Sequence, residues 1–129
     1  MNDRKVEVVM AKGDDLEDRL IRFAVRIVKL TEHLPKTPAG RHFAGQLLRS
    51  GTSPALNYAE ARRAESQADF IHKMKVVLKE LNETRVCLII VSLSELLPPA
   101  KMGDIIGEAT ELCKIFGTAI RTSRDNAEQ

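Results

Sequence analysis

Two long helical patterns separated by almost nothing dominate this chain. Ser66 and Asp69 form a capping box, in which a hydroxyl and a carboxylate can satisfy backbone N–H groups left free at a helix start. A helix therefore begins near Gln67, and the pattern from Pro38 to about Ala64 is a second helix running the other way. Both rise ~1.5 Å per residue, so facing residues carry numbers that sum to about 131 or 132. Arg49 then stands opposite Glu83, and Glu60 opposite His72.

This hairpin puts polar chemistry where apolar residues belong. On a wheel of ~100° per residue, Asn57 falls on the side of Phe43, Leu47 and Ala61. Its amide needs partners. Arg49, Ser53 and Glu60 line the neighbouring flank, and Glu80 and Glu83 line a matching flank of the following helix. The spacing predicts a polar network of Arg49, Ser53, Asn57, Glu60, His72, Glu80 and Glu83 at the bundle edge, with Arg49 to Glu83 as its ion pair. The bland alternative is that these charges point to water, as most helix-face charges do. Pro54 cannot donate to the Ser50 carbonyl, so the helix is expected to bend around Ser50 to Ser53, with Gly51 adding slack.

The remaining patterns complete an all-α, antiparallel, up-down-up-down four-helix bundle over residues 14–123. Leu16, Leu20, Phe23, Ile27, Leu30 and Leu34 fall on one stripe of the first helix. Asp14, Asp15, Glu17 and Asp18 crowd its first turn, as the helix dipole favours. Thr37 reads as the next N-cap, with Pro38 at the first helical position. Phe70, Met74, Val77, Leu78, Leu81 and Leu88 make the core stripe of the third helix. Pro98 and Pro99 break the chain, and a fourth helix follows from about Pro99 to Ser123. Gly103, Gly107 and Gly117 weaken it by up to ~1 kcal/mol each relative to Ala, and suit close helix contact. Residues 1–13 read as an N-terminal arm and 124–129 as a disordered tail.

The apolar residues outnumber what one core can hide. Ile21, Val25 and Val28, beside Ala24, form a second flank on the first helix. The run from Val86 to Leu93, with Val86, Ile90 and Leu93, is apolar nearly all round and needs cover on more than one side. These six residues are the candidate oligomer interface. Arg19, Arg22, Arg26 and Lys29 make a third stripe, and Lys75 and Lys79 share an outward face with His72. Such rows are candidate RNA contacts or ordinary solvated faces.

A chain of 129 residues, 43% hydrophobic, is long enough for one core without metal or disulfide staples. Its net charge of +2 means that nucleic-acid affinity would have to come from a local patch or from repetition in an oligomer. Four Phe, one Tyr and no Trp give little material for stacking bases. Cys87 and Cys113 read as buried thiols in a reduced compartment, and the longest apolar run falls far below the ~20 residues of a membrane span. A cytoplasmic protein is expected. His33 and His42 stand without a third ligand at metal spacing, and no nucleotide-loop, zinc-protease or nucleophile-elbow motif occurs. No catalytic residue, metal or cofactor is therefore expected. A metal enzyme using Glu60, Glu80, Glu83 and His72 is the outsider, because the Glu-x-x-His motif of bundle metal sites is missing.

The segment QLLRSGTSPALNYAEARRAESQADF, followed by LKELNETR, resembles the bacterial four-helix-bundle family named for proteins encoded in intervening sequences of 23S rRNA genes. That family's pattern is roughly Gln-x-x-Arg-Ser, then Ser-x-x-x-Asn-x-x-Glu-Gly, then Glu-x-x-Glu-Thr. Gln46, Arg49, Ser50, Ser53, Asn57, Glu60, Glu80, Glu83 and Thr84 fill its places, with Ala61 where glycine is usual. The resemblance spans about Leu16 to Ile120. It implies an antiparallel bundle assembled as a homo-oligomer, typically a pentameric ring. The family is also similar to the accessory subunits of diversity-generating retroelements, basic pentameric bundles that act with a reverse transcriptase and RNA. The expectation is thus a non-enzymatic, homo-oligomeric adaptor for RNA or a ribonucleoprotein. The alternative is a protein-binding scaffold with no nucleic-acid role.

Overall fold

The computed structural model describes residues 13–128, so the expected arm lies outside the described residues except for Gly13. The described residues form four α-helices: α1 (Asp14–Glu32), α2 (Pro38–Ala61), α3 (Gln67–Leu93) and α4 (Gly103–Glu128), with a short 3-10 turn at Pro99–Lys101 before α4. Among the described residues there is no strand.

The helix starts follow from local chemistry. Gly13 enters α1 with a left-handed backbone (φ 67°), and Asp14, Asp15 and Glu17 place negative charge in the first turn, where the helix dipole favours it. Thr37 Oγ1 accepts from Gly40 N at 3.1 Å and Pro38 opens α2, while Ser66 Oγ accepts from Asp69 N at 3.1 Å to open α3. Gly40 is obligatory because a Cβ there would collide with the Pro35 carbonyl.

The later boundaries depart from the sequence expectation. α2 ends at Ala61 rather than near Ala64, because Arg63 N and Ala64 N turn back to Glu60 O and Ala61 O in tighter, three-residue bonds. Pro54 sits buried inside α2, which runs through it as one element. Lys101 N and Met102 N turn back to Pro98 O and Pro99 O in three-residue bonds, so Pro99–Lys101 is a 3-10 turn and α4 begins only at Gly103. It then continues through Glu128, past Ser123, where the disordered tail was expected to begin; that stretch holds no Pro or Gly, and Gln67 Nε2 donates to Ser123 O at 3.2 Å.

Consecutive helices pack along their lengths, and α1 meets α4 along a narrower seam. Ser50 meets Thr84 and Glu60 meets Lys73, so α2 and α3 run antiparallel; Arg62 reaching Asp14 and Gly51 facing Ile27 show the same for α1 and α2. These pairings are compatible with the up-down-up-down order. Phe23, Leu47, Leu81, Leu88, Leu112 and Phe116 fill the core from all four helices. Tyr58 stands edge-on to Phe116 at 5.4 Å, tying α2 to α4 across it.

Candidate functional site

The polar edge between α2 and α3 is built around Arg49. Its Nη1 donates to Glu80 Oε2 at 3.0 Å and its Nη2 to Glu83 Oε2 at 2.6 Å, so one guanidinium holds two carboxylates of α3. Hydrogen bonding to Glu83, then the charge of Glu80, raises the Arg49 pKa further above its ordinary value. The Glu80 side chain is 11% exposed, whereas the Arg49 side chain is 52% exposed. The desolvated member is the acid, and the arginine lies over it as a lid. A second contact lies beneath: Thr84 Oγ1 is 3.0 Å from Ser50 Oγ and donates to Glu80 O at 2.8 Å, with both side chains fully buried.

The expected network is thus only partly assembled. Asn57 Nδ2 donates to Ser53 O at 3.0 Å and Ser53 Oγ at 2.7 Å, within its own helix. Glu60 accepts from Lys73 Nζ at 2.8 Å rather than meeting His72, which is exposed. Lys73 lies one residue on from His72, and its longer side chain reaches back. The Ser50–Thr84 contact was missed because the hairpin register places Ser50 opposite Leu81 and Asn82. Both residues do stand in the polar pattern Gln-x-x-Arg-Ser and Glu-x-x-Glu-Thr, which was the available signal.

These carboxylates are not arranged for metal chemistry. Glu80 and Glu83 are held by Arg49, Glu60 is held by Lys73, and among the described residues no group of three His, Cys, Asp or Glu side chains converges. The outsider site of Glu60, Glu80, Glu83 and His72 is not brought together. Burial pushes the free Cys87 and Cys113 thiols up, away from reactive thiolate. Among the described residues no buried side-chain nitrogen or oxygen lacks a partner.

The surplus apolar surface is real in the isolated chain. Ile21, Ala24, Val25 and Val28 of α1 and Ala55 and Leu56 of α2 line one shallow groove, in which Val25 is 46% and Leu56 67% exposed. Leu56 was not among the expected interface residues. Val86, Ile90 and Leu93 form an exposed row on α3, with Leu93 81% exposed, while Cys87, Leu88 and Val91 turn into the core. The segment is therefore two-sided rather than apolar all round.

The basic stripe of α1 divides in half. Arg19 forks onto Glu108 of α4, with Nε to Oε2 at 2.8 Å and Nη2 to Oε1 at 2.6 Å, and Arg22 pairs with Asp18 at 2.6 Å. Arg26 and Lys29 are exposed and, among the described residues, make no ion pair; the same holds for Lys75 and Lys79 on α3. Among the described residues no helix is long and apolar enough to cross a membrane.

A family model described as 23S rRNA-intervening sequence protein matches residues 16–118. A solved structure, described as a protein with unknown function from the S23 ribosomal protein family of Bacteroides thetaiotaomicron, is 36% identical with a TM-score of 0.73. The match covers 81% of this chain and 96% of that one. No curated protein matches. The family model spans most of the chain, and the solved relative shares both its fold and more than a third of its residues: the chain belongs to the 23S rRNA-intervening sequence protein family.

Proposed function

We propose that this protein is a non-enzymatic helical bundle whose copies cover one another in a closed ring. The family resemblance implies five subunits. The observation that carries this reading is the pair of unlike apolar patches, a groove between α1 and α2 and a row on α3. A groove does not fill a groove, whereas a helix ridge does. Pairing the α3 row of one copy with the groove of the next is a head-to-tail contact, which closes into a ring when the rotation allows. Every carboxylate of the polar seam is already held by a cation, which fits a structural rather than a catalytic role. The two free, high-pKa thiols suit a reduced, cytoplasmic setting. Light scattering in solution tests the assembly: a mass that is a multiple of 14.4 kDa is expected, and a monomer at micromolar concentration would overturn it.

Ring symmetry would repeat Arg26, Lys29, Lys75 and Lys79, which make no ion pair among the described residues, and these repeated cations are the surface offered to RNA or a ribonucleoprotein. Retention of RNA that falls steeply with added salt, and falls again in Arg26→Glu, is the expected result. A second reading, a scaffold that binds protein alone, is favoured by one observation: Arg19 and Arg22 are already neutralised within the chain. Salt-insensitive partner binding with no RNA retention would select it.

A further inference from the structure

At the end of the bundle where α1 finishes and α4 begins, a cavity of about 500 Å³ opens between the two helices and the turn before α4. Four basic side chains line it: Arg26, Lys29 and His33 from α1 and its C-cap, and Lys101 from the 3-10 turn. Its apolar surface comes from Leu30, Leu97 and Pro98, with the core residues Met102 and Ile105 beneath. No carboxylate lies in the lining. Glu108 is close enough to feel the charge of Arg26, but both its oxygens are engaged by Arg19. Arg26, Lys29, His33 and Lys101, like Lys75 and Lys79 elsewhere, have no carboxylate partner among the described residues, but here the unpaired side chains line one cavity. Like charges gathered over a low-dielectric surface repel, and a bound anion removes that cost.

We infer that this cavity binds the phosphate of a nucleotide, with phosphate oxygens among Arg26, Lys29 and Lys101 and the base or sugar against Leu30 and Leu97. The volume falls within the ~300–1,000 Å³ of small-molecule sites, with an apolar lining and a few convergent polar groups. The Leu97–Pro98 turn forms one wall, so the site takes a compact ligand: a free nucleotide or the phosphorylated end of an RNA strand. The inference goes beyond self-assembly and does not need it, since every lining residue comes from one chain.

Calorimetric titration of the full chain with adenosine 5′-monophosphate, inorganic phosphate, and a short RNA bearing either a 5′-phosphate or a 5′-hydroxyl tests it. The expected result is saturable binding of the monophosphate, weakened at least about tenfold by Lys29→Glu and by Lys101→Glu, the scale of losing a charge-assisted contact. Leu97→Ser should weaken the nucleotide but not inorganic phosphate. Arg22→Glu, which lies off the cavity, should leave the affinity unchanged. RNA that binds better with its 5′-phosphate identifies a strand end as the ligand, and indifference to that phosphate identifies the free nucleotide. No binding of the monophosphate at millimolar concentration would overturn the assignment. So would inorganic phosphate binding as tightly as the nucleotide, or an equal loss in Arg22→Glu. Circular dichroism of each variant separates lost binding from lost fold, and an unchanged mass by light scattering separates it from lost assembly.

Discussion

At the scale of single residues, buried polar contacts and exposed ones carry different weight. Ser50 and Thr84 are fully buried, and each hydroxyl has one proton to give; Thr84 donates to Glu80 O, which leaves Ser50 to complete the pair. Thr84→Val should destabilise by about 1–2 kcal/mol in urea unfolding, because it strands the Ser50 hydroxyl. Adding Ser50→Ala should cost less than the two single losses together, and strict additivity would show that the hydroxyls do not interact. The same reasoning ranks the ion pairs. Glu83→Ala leaves Arg49 with Glu80 and with water, so the arginine is not stranded. Arg49→Met instead abandons the buried Glu80 carboxylate, and should lower the melting temperature more than Glu83→Gln does. Equal melting temperatures would contradict that order. Arg49 against Glu83 was legible because a two-helix register follows from one cap and one rise per residue. Glu60 against Lys73 was not, because a single position on a helix is a ~100° turn and side-chain reach decides the partner.

At the scale of helices, glycine separates a contact from a gap. A Cβ on Gly51 would lie 2.7 Å from Ile27 Cγ2, so α1 packs directly against α2 where α2 carries no side chain. Gly51→Ala should therefore cost about 1–3 kcal/mol despite its better helix propensity, and in an Ile27→Ala background the same change should cost markedly less. Gly107 and Gly117 were read as sites of close packing, but nothing lies within 4 Å of a Cβ at either. Gly107→Ala should stabilise α4 by up to ~1 kcal/mol, and opposite signs for the two glycines in one thermal-melt series would support this account. Caps at Thr37 and Ser66 are written in three-residue patterns and were readable. The role of Gly51 depends on which residue of another helix arrives beside it, and no local pattern records that.

For the whole molecule, closing the bundle and closing an assembly are separate problems. The narrow α1–α4 seam is bridged by the fork of Arg19 on Glu108, and that hydrogen bonding holds the Glu108 carboxyl below its ordinary range. A carboxyl with a depressed folded pKa contributes stability above the unfolded value of about 4.3, and that contribution is lost as pH falls through the folded pKa. Glu108→Gln should lower stability at neutral pH by about 1 kcal/mol or less, given the solvent around both partners, and should flatten the acid limb of unfolding. The proposed assembly can be tested apart from this because the residues assigned to it are exposed. Charge placed in the groove, as Val25→Glu with Leu56→Glu, spoils one patch, and Ile90→Glu with Leu93→Glu spoils the other; neither touches the core. If copies join head to tail, each variant alone lacks half of every contact and is a monomer. Mixed, the groove variant still offers its α3 row and the row variant its groove, so the two form a one-to-one dimer and nothing larger. If each patch instead meets its own likeness, either variant alone dimerises through the patch it keeps, and mixing adds no new species. Light scattering on the two variants and their mixture therefore distinguishes a ring built from unlike faces from any symmetric pairing of like ones.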